Sequence, residues 1–182
     1  MDLRQMTDEE LALRARTEPA PAFEVLFERY RTPLYNFLLR QGADESRAED
    51  LFQVTFFKAF RALAGFREEA RFKTWLYTIA THAIMDDRRS ALRRAPTAEL
   101  RETMMVEDPD TGTRDDVDRV KAALTQVGAR HRQLFTLVRF QGLPIAEAAR
   151  VVGMTPAAAK VTLFRTTKRI GELLAPVREN DA

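Results

Sequence analysis

Residues 143–171 read Leu143-Pro144-Ile145-Ala146-Glu147-Ala148-Ala149-Arg150-Val151-Val152-Gly153-Met154-Thr155-Pro156-Ala157-Ala158-Ala159-Lys160-Val161-Thr162-Leu163-Phe164-Arg165-Thr166-Thr167-Lys168-Arg169-Ile170-Gly171. Pro144 suits the first position of a short helix over 144–151, because a helix leaves that N–H unpaired anyway. Gly153 supplies a turn. Thr155 is an N-cap, and Pro156 begins a final long helix carrying Val161, Phe164, Ile170 and Leu173. A short helix, a glycine turn and a capped second helix form the helix-turn-helix layout. Such a second helix must present polar and basic side chains to a duplex groove, and Lys160, Thr162, Arg165 and Thr166 stand there. The alanines at 157–159 permit close approach. An ordinary helical hairpin with a solvated basic face would share this pattern.

Working outward, the periodicity stays helical. Val117, Val120, Ala123, Leu124 and Val127 make one apolar face, and Leu134, Leu137, Val138 and Phe140 another, ended by Gly142. Residues 115–182 therefore form one domain. Near the N-terminus, Thr7 and Glu10 make a capping box for a short helix with Leu11, Ala12 and Ala15. That helix stops before Pro19 and Pro21. Phe23, Leu26, Phe27, Tyr30, Leu34, Phe37 and Leu38 come next, with Pro33 expected to kink or split their helix and Gly42 to end it. Asp44 or Ser46 opens a third helix with a stripe of Ala48, Leu51, Phe52, Phe56, Phe60 and Leu63, closed by Gly65. A charged loop over 65–71 leads into a helix carrying Phe72, Trp75, Leu76, Ile79, Ala80 and Ala83. It runs into Arg88, Arg89, Arg93 and Arg94. Residues 1–94 form a second domain.

Between the two, Pro96, Pro109, Gly112 and the acidic residues Glu99, Glu102, Glu107, Asp108 and Asp110 break the pattern. Residues 95–114 are expected to be a flexible, acidic linker. The fold class is thus all-α: two small helical domains joined by that linker, the C-terminal one a helix-turn-helix.

Composition narrows the function. The 182 residues include no cysteine and two histidines, His82 and His131, which excludes a disulfide scaffold, a thiolate zinc site and a cysteine nucleophile. His82 and Asp86 lie four apart but lack a third ligand, so no metal is expected. No phosphate loop, nucleophile elbow or zincin motif occurs; no cofactor and no enzymatic activity are expected. No run approaches 18 apolar residues, and no apolar signal segment comes after Met1, which points to the cytoplasm. Net charge is only +2, so affinity for nucleic acid must come from placement: an arginine cluster at 88–94 and basic residues at 160–169. Among the aromatics around the charged loop, Phe72 and Trp75 are assigned to the core. Phe66, set between charged residues, is the candidate for a functional contact.

Three stretches in order, Ala48-Glu49-Asp50-Leu51-Phe52-Gln53-Val54-Thr55-Phe56, Phe72-Lys73-Thr74-Trp75-Leu76-Tyr77-Thr78-Ile79-Ala80 and Asp86-Asp87-Arg88-Arg89, resemble the promoter-melting domain of extracytoplasmic function (ECF) sigma factors. Leu143–Ala149 and the helix after Gly153 resemble their second DNA-binding domain. The resemblance implies an alternative sigma factor that binds bacterial RNA polymerase core and promoter DNA and is held by an anti-sigma factor. It places Glu49, Asp50, Gln53 and Val54 at the polymerase clamp. Phe66, Arg67, Trp75, His82, Arg88 and Arg89 fall at the minus-10 element, and Lys160, Val161, Phe164, Arg165 and Lys168 at the minus-35 element. Val54 stands where the family usually has an acidic residue, and His82 where asparagine is common. Val161 and Thr162 replace more polar or basic residues, which implies minus-35 readout through shape and backbone. A plain helix-turn-helix repressor would account for 115–182 but leaves the Glu49-Asp50-Gln53 face without a task.

Overall fold

The computed structural model describes residues 2–67, 71–93 and 114–175. Among these it contains eight α-helices and no strand: α1 (Asp8–Arg14), α2 (Pro19–Arg40), α3 (Glu45–Ala62), α4 (Phe72–Arg93), α5 (Arg114–Thr125), α6 (Ala129–Arg139), α7 (Ile145–Val151) and α8 (Pro156–Leu174). They divide between two compact units, Met1–Leu39 with Ala43–Asp108 and Arg40–Gly42 with Pro109–Ala182. The expected linker falls largely outside the described residues.

In the first unit the N-terminal capping box forms. The Thr7 N–H donates to Glu10 Oε2 at 2.7 Å, and the Glu10 N–H to Thr7 Oγ1 at 3.2 Å. This reciprocity satisfies two donors that the first turn of α1 leaves free. Helix α1 is in turn tied to α2 and α4 by its first two acidic residues. Asp8 accepts from Arg29 Nη1 at 2.6 Å and from the Tyr30 hydroxyl of α2. Glu9 Oε1 accepts the Phe72 N–H at 3.1 Å, placing a carboxylate on the positive end of α4.

Helix α2 is unbroken from Pro19 to Arg40, so the split considered at Pro33 does not occur. An internal proline costs about 3 kcal/mol. Leu26 and Tyr30 before it and Leu34, Phe37 and Leu38 after it are all buried on one face, and each such side chain contributes about 1.5–3 kcal/mol. Burial on both sides of the proline outweighs its cost. Ala48, Leu51, Phe56 and Ala59 of α3 and Leu76, Tyr77, Ala80, Ala83 and Ile84 of α4 complete this core. Edge-on ring pairs knit it, Tyr30 with Phe72 at 5.4 Å and Phe37 with Tyr77 at 5.0 Å between centroids.

In the second unit α5, α6 and α7 surround the inner face of α8, whose Ala159, Leu163, Thr166 and Ile170 are buried. Helix α7 begins one residue later than expected, with Pro144 as the N-cap residue. Thr155 caps α8 through its side chain, accepting the Ala158 N–H at 3.2 Å, and Pro156 occupies the first position. Gly153 turns the chain at φ +68°, a left-handed conformation that a side chain would strain. There the Arg130 Nη2 would lie 3.3 Å from an added Cβ. At the far end of α8, Arg119 Nη2 donates to the Leu174 carbonyl at 2.9 Å.

Candidate functional site

The outward side of α3 is mixed. Asp50 and Gln53 are exposed and Glu49 is half-buried. Val54, Phe57 and Phe60 are exposed apolar residues, at 42%, 62% and 45%. Beside them runs a groove of about 720 Å³ with Phe27, Phe52 and Phe56 on its walls and Glu49, Gln53 and Val54 along it. Tyr35 also lines the groove. It is only 4% exposed, and its buried hydroxyl has no hydrogen-bond partner. Burial, with Glu49 and Glu45 nearby, raises its pKa. The Arg61 guanidinium sits 5.6 Å from the Phe57 ring centroid, within cation–π range. The apolar stripe counted from sequence includes Phe60 and omits Phe57, yet both rings are exposed. The sequence does carry a sign of this competition: Phe56 and Phe57 are adjacent, and residues about 100° apart on a helix cannot both face the core squarely. Phe56 takes the inward position.

A second concavity, about 510 Å³, opens between α3 and α4, lined by Lys58, Ala62, Ile79, His82, Met85, Asp86 and Arg89. His82 is exposed. Asp86 sits between two cations, 3.4 Å from Lys58 Nζ and 3.9 Å from Arg89 Nη1. Pairs this exposed contribute little stability. Arg88, half-buried, has its pKa pushed down by burial and partly restored by Asp87. Asp87 in turn accepts from Arg47 Nε at 2.7 Å. Lys58 and Met85 are not among the residues picked out from sequence, because only the packing of α3 on α4 brings them to His82.

Phe66 requires a correction. It is 2% exposed and lies in the core, 5.9 Å from the Phe72 ring and 5.4 Å from the Trp75 ring. A 3-10 turn over Leu63–Gly65 ends at Phe66, whose N–H donates to the Leu63 carbonyl at 3.0 Å. That turn swings the ring inward, and apolar burial outweighs the charge of its sequence neighbours. Phe66 and His82 therefore do not make a common exposed pocket. Phe72 is fully buried as expected, whereas Trp75 is only half-buried and keeps accessible surface. Arg67 is exposed at the start of the loop; residues 68–70 lie outside the described residues.

In the second unit the outward face of α8 carries Lys160, Val161, Phe164, Arg165 and Lys168, all exposed. Leu163 and Ile170 turn inward. The turn that precedes this helix is gripped by Arg130, whose Nε donates to the Val152 carbonyl at 2.8 Å and whose Nη2 donates to the Gly153 carbonyl. Nothing in the sequence singles out Arg130. It lies 22 residues from Val152, with no local pattern to link them.

Comparison with known proteins bears on both units. Residues 26–94 match Sigma-70 region 2 and residues 118–170 match Sigma-70 region 4. The RNA polymerase sigma factor CarQ of Myxococcus xanthus is 31% identical over 88% of this chain and 94% of its own length. The chain belongs to the ECF sigma factors of the sigma-70 family. The ECF RNA polymerase sigma factor BldN of Streptomyces coelicolor is 30% identical over 91% of the chain, which spans 65% of that relative's length. The sigma-H factor of Pseudomonas aeruginosa is 29% identical over 96% of this chain and 97% of its own. Among solved structures, CnrH in complex with the cytosolic domain of CnrY has a TM-score of 0.72 at 24% identity, covering 92% of this chain and 96% of that one. RpoE of Bartonella quintana, in complex with the anti-sigma factor NepR, has a TM-score of 0.69 at 24% identity, covering 86% and 98%. These two likenesses show the fold. As an alternative sigma factor, the protein directs promoter-specific transcription initiation and is not an enzyme. The α3 face and the α3–α4 cleft belong to its region 2, and α8 ends its region 4. No described helix is long and apolar enough to cross a membrane.

Proposed function

We propose that this sigma factor divides its tasks along the chain, with residues 1–94 binding polymerase core and opening the minus-10 element, 115–182 holding the minus-35 duplex, and 95–114 linking them. In this reading Asp50, Gln53 and Glu49 contact the polymerase clamp, and Val54 adds an apolar contact where the family usually has a charge. His82, with Lys58 and Arg89 beside it, receives an unpaired base and its phosphates. Arg67, the open side of Trp75 and Arg88 flank that path, while Phe66 serves the core beneath it. Extruding a base costs a few kcal/mol, which cationic contacts and stacking offset. Lys160, Val161, Phe164, Arg165 and Lys168 face the minus-35 duplex, and the N-terminus of α8 favours a phosphate. The reading includes an anti-sigma factor as partner and the cytoplasm, where polymerase works, as its place. The apolar groove beside Glu49 suits such a partner.

The observation that carries the proposal is the outward face of α8: five side chains assigned from sequence to one surface are all exposed on the second helix of a capped helix-turn-helix. Transcription by purified core plus this protein from a promoter library randomised at both elements tests it. Enrichment of paired elements is expected. Core-dependent transcription without any enrichment upstream would remove the minus-35 assignment.

A further inference from the structure

The outer arc of α8 is not uniformly polar. Val161 is 52% exposed and Phe164 73% exposed, and among the described residues of the second unit these are the large apolar side chains left to solvent. At about 100° per residue, Val161 falls near the middle of the exposed arc with Phe164 one turn on. Lys160 and Arg165 stand towards its two edges, and Lys168 lies on the same line as Val161. Ala157 and Ala158, also exposed, clear the first turn so the arc can approach a surface closely.

We infer that Val161 and Phe164 read the C5-methyl group of thymine in the duplex that α8 enters. The inference rests on α8 being the minus-35 reader. Neither side chain has a donor or acceptor, so neither can pair with the polar edge of guanine, adenine or cytosine. Thymine's methyl is the apolar group on the base edges of the major groove. A protein partner with an apolar patch would have to desolvate Lys160, Arg165 and Lys168 around these residues. A duplex instead supplies phosphates to the cations and a methyl to the centre. Val161 is also β-branched and stiff at χ1, so its position is settled before the duplex arrives. Departure from the polar residues common at this position thus brings a positive preference for one base, in place of the readout by shape and backbone that the resemblance implied.

The test uses the full chain assembled with polymerase core and a minus-35 sequence selected from a randomised library. Each thymine of that element is replaced singly by deoxyuridine, which removes the methyl and leaves the pairing edge intact. Loss of affinity of about fourfold at one or two adjacent positions is expected, which corresponds to ~0.8 kcal/mol for one methyl. Val161→Ala should be indifferent to deoxyuridine at one of these positions, and Phe164→Ala at its neighbour. Both residues are exposed on a helix, so neither variant should disturb folding. If Arg165→Ala weakens the complex but deoxyuridine changes nothing at any position, or if the selected element holds no thymine, the inference falls and α8 remains the reader. If Lys160→Ala, Arg165→Ala and deoxyuridine are all without effect, the assignment of α8 falls and the inference with it.

Discussion

Arg130 Nε lies 2.8 Å from the carbonyl oxygen of Val152, so α6 holds the end of α7 and the turn that aims α8. The same guanidinium reaches the Gly153 carbonyl, satisfying carbonyls that the end of a short helix leaves free. Hydrogen bonds from a charged donor contribute about 1.5–3 kcal/mol. Arg130→Gln is expected to lower the melting temperature of the protein and to weaken minus-35 binding for all sequences alike, without altering sequence preference. A binding profile that changes at one base position would instead make Arg130 a contact residue.

On α3, Asp50 is solvated and makes no contribution to the core. Reversing its charge should leave thermal unfolding unchanged to within about 0.5 kcal/mol while weakening association with polymerase core. Fluorescence titration of core with the Asp50→Lys variant measures this. Wild-type affinity would remove Asp50 from the clamp surface.

His82 opens into a cleft flanked by Lys58 and Arg89. His82→Asn, which installs the residue common in the family, should change base preference at one minus-10 position and leave binding of a minus-35 duplex untouched. Lys58→Ala should weaken capture of single-stranded minus-10 DNA without changing which base is preferred, because a phosphate contact carries no sequence information. Selection from a library randomised at minus-10, run in parallel for the three proteins, distinguishes the two effects.

Lys160 and Arg165 differ in what they should contact. Loss of one phosphate contact lowers the slope of log affinity against log salt by about 0.9, whereas loss of a bidentate base contact costs about 1–3 kcal/mol and relaxes one position. Lys160→Ala is expected to behave in the first way and Arg165→Ala in the second, in holoenzyme binding to promoter variants across a salt series.

Tyr30, buried and bonded to Asp8, has its pKa raised, first by burial and then by the Asp8 hydrogen bond and charge. The unfolded phenol ionises near pH 10 while the folded one stays neutral, so the folded state binds more protons above that pH. Stability from this group is therefore complete below pH 10 and is lost as pH rises towards the folded value, at up to about 1.4 kcal/mol per pH unit. Tyr35 acts in the same direction, and Lys73, whose pKa burial lowers, acts against it. Urea unfolding should show Tyr30→Phe less stable than the parent at pH 8, with the gap closing from pH 10 to 11. A gap that stays constant over that range would mean the phenol is not shielded.

Much of the fold is legible in the sequence because its signals are local. The Thr7–Glu10 box, the Thr155 cap, the turn at Gly153 and the spacing of Leu26, Tyr30, Leu34 and Phe37 involve residues within one or two turns of each other. The hydrogen bonds and side-chain directions they dictate need no distant partner.

Competition for the interior could be settled only by tertiary structure. Phe66 and Trp75 compete for the interior, and the sequence, which sets Phe66 in a charged loop and Trp75 on a helical stripe, misjudges which of them lies deeper. The answer depends on the direction in which α3 ends, through the turn at Leu63–Gly65, and on the space α4 leaves beside it. The cleft around His82 and the Arg130 clasp have the same origin: Lys58 and His82, or Arg130 and Val152, meet because helices pack. Sequence alone determined the helices, their caps and the family motifs, since these rest on short-range geometry. The packing of those helices decided which side chains remain for a partner, since burial is a property of the assembled core.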